Sequence, residues 1–188
     1  MSKIIVTNGN REINIDHNTS EGRRNLLLHE VGHWAVAKYL GYTPLKLVFD
    51  IKDERFYIDT PLNPKNRAIS RTETLEENIE ISLGGKVAED LCGFQTAGFL
   101  AGDLVHIYGF LQQLHQTRGA TLPFEKIGDL LRDYERHLGR YEERTRQILQ
   151  EMGGQEPLEG TTDYLLKTYI EPGIADPQNR RGTCLTWD

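Results

Sequence analysis

Cysteine is scarce in this 188-residue chain, where Cys92 and Cys184 are the only two. So small a number excludes a disulfide framework and suits a reducing compartment, so a cytoplasmic protein is expected. Long apolar runs are also missing, and nothing approaches the roughly twenty residues that a membrane helix needs. The stretch Met1-Ser2-Lys3-Ile4-Ile5-Val6 is too short in its apolar part to read as a secretory signal. Positive charge is outnumbered: 22 Lys and Arg against 28 Asp and Glu leave a net charge of −6. That balance argues against nucleic-acid binding by the whole surface. The pairs Arg23-Arg24 and Arg180-Arg181 stand alone and read as solvated surface. Repeats and low-complexity tracts are absent. What is present is ordinary for a globular protein, 38% hydrophobic and 27% charged, in a chain long enough for one domain with a substantial core.

Within that ordinary background, His29-Glu30-Val31-Gly32-His33 is chemically specific. Positions i and i+4 share one face of an α-helix, so two imidazoles at this spacing can grip one metal ion. Glu30 directly follows the first histidine and is placed to act as general base on a water that the metal acidifies. The alternative is a pair of partly buried histidines that merely sit four apart, so the helical context matters. Leu26, Leu27, Val31, Trp34, Ala35, Ala37 and Leu40 are apolar at helical spacing. Asn18 with Glu21 resembles a capping box, and Ser20 is a second possible cap. Gly41 suits the left-handed position after a helix end, and Pro44 stops continuation. These signals predict a helix from about Ser20 to Leu40 with the motif near its middle.

The rest of the chain reads as mainly α with a little β. Ile4 to Ile15 predicts one or two short strands around the turn Asn8-Gly9-Asn10. Leu45 to Ile51 and Arg55 to Asp59 predict a strand pair joined near Asp53-Glu54, and Pro61 to Arg67 predicts a loop. Ser70 with Glu73 opens a second helix ending at Gly93, and a third starts near Gly102 or Asp103 and stops at Gly119. A short connector, Leu122 to Gly128, leads to a long final helix over Ile127 to Met152. Its stripe of Tyr134, Leu138, Tyr141, Ile148 and Met152 predicts a packing face rather than a coiled-coil seam. The whole is read as a single domain, with a core over about 18–152, an N-terminal strand arm over 1–17 and a C-terminal tail over 153–188. Irregular structure is expected from Pro172, with Trp187 either an anchor or exposed.

A catalytic zinc site needs a third protein ligand and one position for water. The extended motif HExxHxxGxxH is excluded, because its glycine and third histidine fall on Val36 and Tyr39. Four residues remain open: Glu89, Asp90, Asp103 and His106. Gly84 and Gly85 precede the acidic pair in a helix where each glycine costs roughly 1 kcal/mol, which suggests close approach of another backbone. That neighbour would be the motif helix, placing Glu89 near the metal as ligand or as the partner of a histidine N–H. The alternative is an exposed acidic pair ending a helix. Asp103 is either ligand or helix cap, and His106, beside Ile107 and Tyr108, is suitable chemically but equally a core or surface residue.

The order of HEVGH, then Leu83-Gly84-Gly85-Lys86-Val87-Ala88-Glu89-Asp90-Leu91, then a small-residue loop ending in Asp103-Leu104, resembles the protease domain of FtsH-type zinc metalloproteases. The likeness covers about residues 23 to 115. It implies a zincin-like helical domain with a small β-sheet or hairpin beside the motif helix. Carried over residue by residue, it implies His29, His33 and Asp103 as zinc ligands, Glu30 as base and Glu89 as support for a ligand. The family's Ser-Asn pair before the aspartate is Ala101-Gly102 here, and Gly98 aligns only with a one-residue shift. No GxxxxGK[ST] pattern accompanies the motifs, so an ATP-independent peptidase acting on peptides or unfolded segments is expected. A homo-oligomer or a separate ATPase partner would fit, and neither nucleic acid nor membrane is an expected partner. The rival is an inactive metal-binding adaptor of the same fold, against which an intact Glu30 argues. A zinc hydrolase of some non-peptide bond is a third possibility.

Overall fold

A computed structural model describes the backbone of residues 3–8, 11–16, 19–42, 45–50, 55–59, 70–94, 101–172 and 183–187. Side-chain surroundings are described over 19–42, 70–94 and 102–172. These side-chain-bearing stretches are mainly helical. The helices are α1 (Ser20–Tyr39), α2 (Arg71–Leu91), α3 (Ala101–Thr117), α4 (Ile127–Arg132), α5 (Tyr134–Glu151) and α6 (Gln155–Leu165). A single π turn, Leu166–Ile170, continues α6. The strands are β1 (Lys3–Asn8), β2 (Arg11–Asp16), β3 (Leu45–Asp50), β4 (Arg55–Asp59) and β5 (Thr183–Trp187). β1 and β2 pair antiparallel, and the remaining three run in the order β4-β3-β5. Among the described residues no helix is long and apolar enough to cross a membrane.

Local chemistry accounts for the helix ends. The N-cap of α1 is Thr19, whose hydroxyl accepts from the Gly22 N–H at 3.0 Å. This corrects the expected caps. A cap oxygen must reach two or three residues ahead, and Ser20 is already helical, its hydroxyl donating to Glu171 at 2.8 Å instead. Asn18 lies outside the described residues. Gly41 takes φ +82° and lets the Tyr42 N–H turn back to the Ala37 carbonyl at 2.9 Å. α2 opens with the full capping box: the Glu73 N–H donates to Ser70 Oγ at 3.2 Å, and the Ser70 N–H to Glu73 Oε2 at 2.8 Å. Gly93, at φ +73°, ends it.

Two expectations about the C-terminal half change. The long final helix is two helices, α4 and α5, separated at Asp133 with φ −109° and ψ 36°. Aspartate competes for backbone hydrogen bonds and is a poor interior helix residue, so the break falls where it is cheapest. The predicted stripe survives in α5, where Leu138, Tyr141 and Ile148 are buried and Tyr134 and Met152 pack at the margin. The tail is also not all tail. Over 155–170 it is helical and buries Leu158, Leu165, Leu166 and Ile170 against Leu27, Leu28, Val31 and Ala35 of α1, because those apolar residues cover an otherwise open face. Further along, β5 pairs with β3, matching Leu45 with Trp187 and Phe49 with Thr183. The expected turns at Gly9–Asn10 and Asp53–Glu54, the loop Pro61–Arg67 and the residues 95–100 lie outside the described residues.

α1 and α2 cross at very short range. A Cβ added at Gly32 would lie 2.3 Å from the Gly84 carbonyl oxygen, and one at Gly84 would lie 2.7 Å from that of Gly32. The loss in helix propensity at these glycines is offset by backbone contact that no side chain permits. A second apolar cluster, including Leu75, Ile79, Leu83, Ile107, Leu111, Leu130 and Leu138, joins α2 to α3, α4 and α5. α2 is thus held between the motif helix and the helix that begins beside Asp103.

Candidate metal centre

The motif helix is buried over its catalytic turn: His29 is 1% exposed, and Glu30 and His33 are each 7% exposed. Because α1 and α2 touch backbone to backbone, the imidazoles of α1 lie directly on α2. His29 Nδ1 is 3.0 Å from Glu89 Oε1, and its Nε2 is 2.9 Å from Asp103 Oδ2. A carboxylate only accepts, so both ring nitrogens donate and this histidine is an imidazolium held between two anions. Burial opposes that charge. The hydrogen bonds to Asp103 and Glu89, with the fields of Asp103 and Glu30, outweigh it and raise the His29 pKa to about 10.

His33 is set up differently. Its Nδ1 lies 2.6 Å from the Ile81 carbonyl oxygen and 3.2 Å from the Gly85 nitrogen. One nitrogen cannot donate and accept at once. The shorter contact is to a group that can only accept, so Nδ1 carries the proton and donates to Ile81. Burial then lowers the His33 pKa, and the neighbouring His29 charge adds to the effect over the opposing field of Asp103. The ring is neutral, with its Nε2 lone pair 3.4 Å from Asp103 Oδ1. That nitrogen is buried and has no hydrogen-bond partner. Two acceptors facing each other in a buried site are unfavourable unless a cation lies between them.

Asp103 comes from the first turn of α3 and closes the group. Burial works against its charge, but the hydrogen bond from the His29 imidazolium and the field of that charge hold its pKa below the usual carboxylate range. His29, His33 and Asp103 each offer a ligand atom, and these atoms lie within 4.8 Å of one another. Their chemistry fits a divalent metal: two imidazole nitrogens and one carboxylate are an ordinary donor set for zinc. Seating it would displace the proton that now lies between His29 and Asp103.

Of the sequence candidates, the structure brings together His29, His33, Asp103 and Glu89, with Glu30 buried alongside. Glu89 bonds His29 from behind, as the partner of a ring N–H. Asp90 is exposed and pairs with Lys86 Nζ at 2.7 Å, and His106 is exposed one turn beyond Asp103; neither joins the cluster. Sequence reasoning missed the Ile81 carbonyl, which fixes the tautomer of His33. A backbone acceptor leaves no trace in residue type. The glycines were the available signal, since close helix contact is what brings a carbonyl within reach of the ring. No model of a known protein family matches this chain, and no curated protein matches it.

Proposed function

We propose that this protein is a zinc-dependent metallopeptidase with a zincin-like fold, similar to the FtsH-type protease domain in its three motifs. The observation that carries the reading is the facing pair of acceptors, His33 Nε2 and Asp103 Oδ1, 3.4 Å apart in a buried site beside His29 and Glu30. His29, His33 and Asp103 would hold the ion. When bound, zinc supplies Lewis acidity toward water and a scissile carbonyl. The protein's own groups do the rest. Glu30, one residue from a ligand, takes a proton from the attacking water and returns it to the leaving amine nitrogen. Glu89 and Ile81 keep both imidazoles in the tautomers that point Nε2 at the shared position.

Substrate binding by strand addition falls to β4 rather than β3. β3 pairs on one edge with β4 and on the other with β5, whereas β4 has β3 as its one partner among the described residues. An extended peptide laid along the outer edge of β4 would bind through backbone hydrogen bonds with little sequence selectivity. Peptides and unfolded segments are therefore the substrate class.

The test is cleavage of an unfolded protein by the purified chain supplied with zinc, in parallel with Glu30→Gln and with chelator. Activity should be lost in both controls and return when zinc is restored to the chelated enzyme. If the parent and Glu30→Gln both bind zinc and neither cleaves a broad peptide library, the peptidase reading fails and an inactive metal-binding module takes its place.

A further inference from the structure

We propose that Gly85 is a positioning residue for the metal centre: its missing side chain is what allows the His29 ring to stand with Nε2 at the point shared with His33 and Asp103. This rests on the metal reading above. A Cβ built at residue 85 would lie 2.5 Å from His29 Cε1, 2.5 Å from Nε2 and 2.6 Å from Cδ2. Real Cβ atoms do not approach that closely. The three atoms are the Nε2 end of the ring, so a methyl group there would press on the nitrogen that has to bind the metal. The ring has little room to yield. Its Nδ1 is bound to Glu89 at 3.0 Å, its Nε2 to Asp103 at 2.9 Å, and the His33 ring stands edge-on with centroids 4.6 Å apart.

The adjacent glycine has another task. A Cβ at Gly84 would meet the Gly32 carbonyl and the His33 Cα at 2.7–2.9 Å, which are backbone atoms and not the ring. Successive helical residues are about 100° apart around the axis, so neighbours in sequence address different parts of α1. Gly84 sets the distance between the helices, and Gly85 admits the imidazole. Ile81, Gly85 and Glu89 then form one face of α2 at spacing four. Its three turns offer a carbonyl for His33, a gap for the His29 ring and a carboxylate for His29 Nδ1.

The experiment compares the full chain with Gly85→Ala and Gly84→Ala. Cobalt is titrated by visible absorption, zinc affinity is measured by competition with a chromophoric chelator, and melting is followed without metal. Gly85→Ala should weaken zinc binding by roughly 10–100-fold, the range for disturbing a group that orients a ligand, and should change the cobalt spectrum. Gly84→Ala should act mainly on melting. A Gly85→Ala protein with parental affinity and an unchanged cobalt spectrum overturns the assignment while the metal reading stands. A parent chain that binds neither metal removes the metal reading itself. Should Gly85→Ala melt early or fail to fold, the same substitution is placed in His29→Ala, where the ring is gone. The penalty should then vanish, and a penalty of the same size there overturns the assignment.

Discussion

Two faces of α2 use the same spacing for opposite ends. Leu75, Ile79 and Leu83 recur every fourth residue and sink into the apolar cluster shared with Ile107, Leu111 and Leu138. Ile81, Gly85 and Glu89 recur every fourth residue as well, and they receive the two imidazoles. Both faces are buried, yet burial stabilises only the first. On the apolar face each side chain gains by leaving water, in proportion to area and with little demand on direction. On the other face a carboxylate, a carbonyl and two imidazoles leave water, and each must regain its partner at a defined angle. One face tolerates exchange of shape-matched residues. The other tolerates almost nothing.

The sharpest way to break this contrast is to damage each face separately. Ile79→Ala should lower unfolding stability by about 2–5 kcal/mol, as for other large-to-small changes in packed cores. The zinc affinity of the folded fraction should stay near parental, as calorimetric titration well below the melting temperature would show. Asp103→Ala should strike the metal directly: zinc affinity should fall by more than the roughly 100-fold that loss of an orienting partner brings. Its metal-free melting at neutral pH should fall as well, because the buried His29 imidazolium loses one of its two carboxylate partners, so the loss of affinity is read on the folded fraction. Glu89→Gln keeps an acceptor for His29 but removes the charge, so an intermediate loss of roughly 10–100-fold is expected from the same titration.

The smallest effect concerns a third site on α2. Glu80 lines a cavity of about 500 Å³ with Tyr39, Glu73, Glu76, Glu77 and Arg144. Burial, with Glu77 and Glu76 adding to it over the opposing Arg144, pushes its carboxyl up to about 7 from an ordinary 4.5. A folded-state pKa above the unfolded one means the folded state holds the extra proton between these values. Stability is therefore present below the unfolded pKa and is lost as pH rises toward 7. Glu80→Gln removes the loss. The variant should gain about 1–2 kcal/mol over the parent above pH 7, after allowance for partial solvent screening, and nothing near pH 4. Urea unfolding at the two pH values measures it, and an equal gain at both would refute the titration.

The legible parts of the chain were those with local causes. HEVGH, the apolar stripe around it and Gly41 located α1 to within a residue, and the capping box at Ser70 located α2. Thr19 was missed as a cap because three neighbouring residues offer similar side-chain oxygens and only the chain path selects one. The break at Asp133 was missed because the apolar periodicity runs through it. Helix α6 was missed because Leu158, Leu165 and Leu166 acquire meaning only once α1 presents a face to cover. Asp103 could be named from the resemblance, but sequence physics alone left it level with a helix cap.

Residue type and spacing by themselves determined the two imidazole donors, because i and i+4 on a helix put His29 and His33 together whatever surrounds them. They also determined that α1 and α2 would approach closely, since glycines inside helices call for contact that side chains forbid. Only the tertiary structure decided what each ring is doing. Asp103 comes from 70 residues beyond His33 to face both histidines, and Ile81 and Glu89 reach them from a separate helix. Protonation follows from those partners: His29 is charged between two carboxylates, and His33 is neutral under a carbonyl with its lone pair left for a metal. Helical spacing acts over one turn and is written in neighbouring residues. Hydrogen-bond partners act over about 3 Å of space, and folding alone brings distant residues that close.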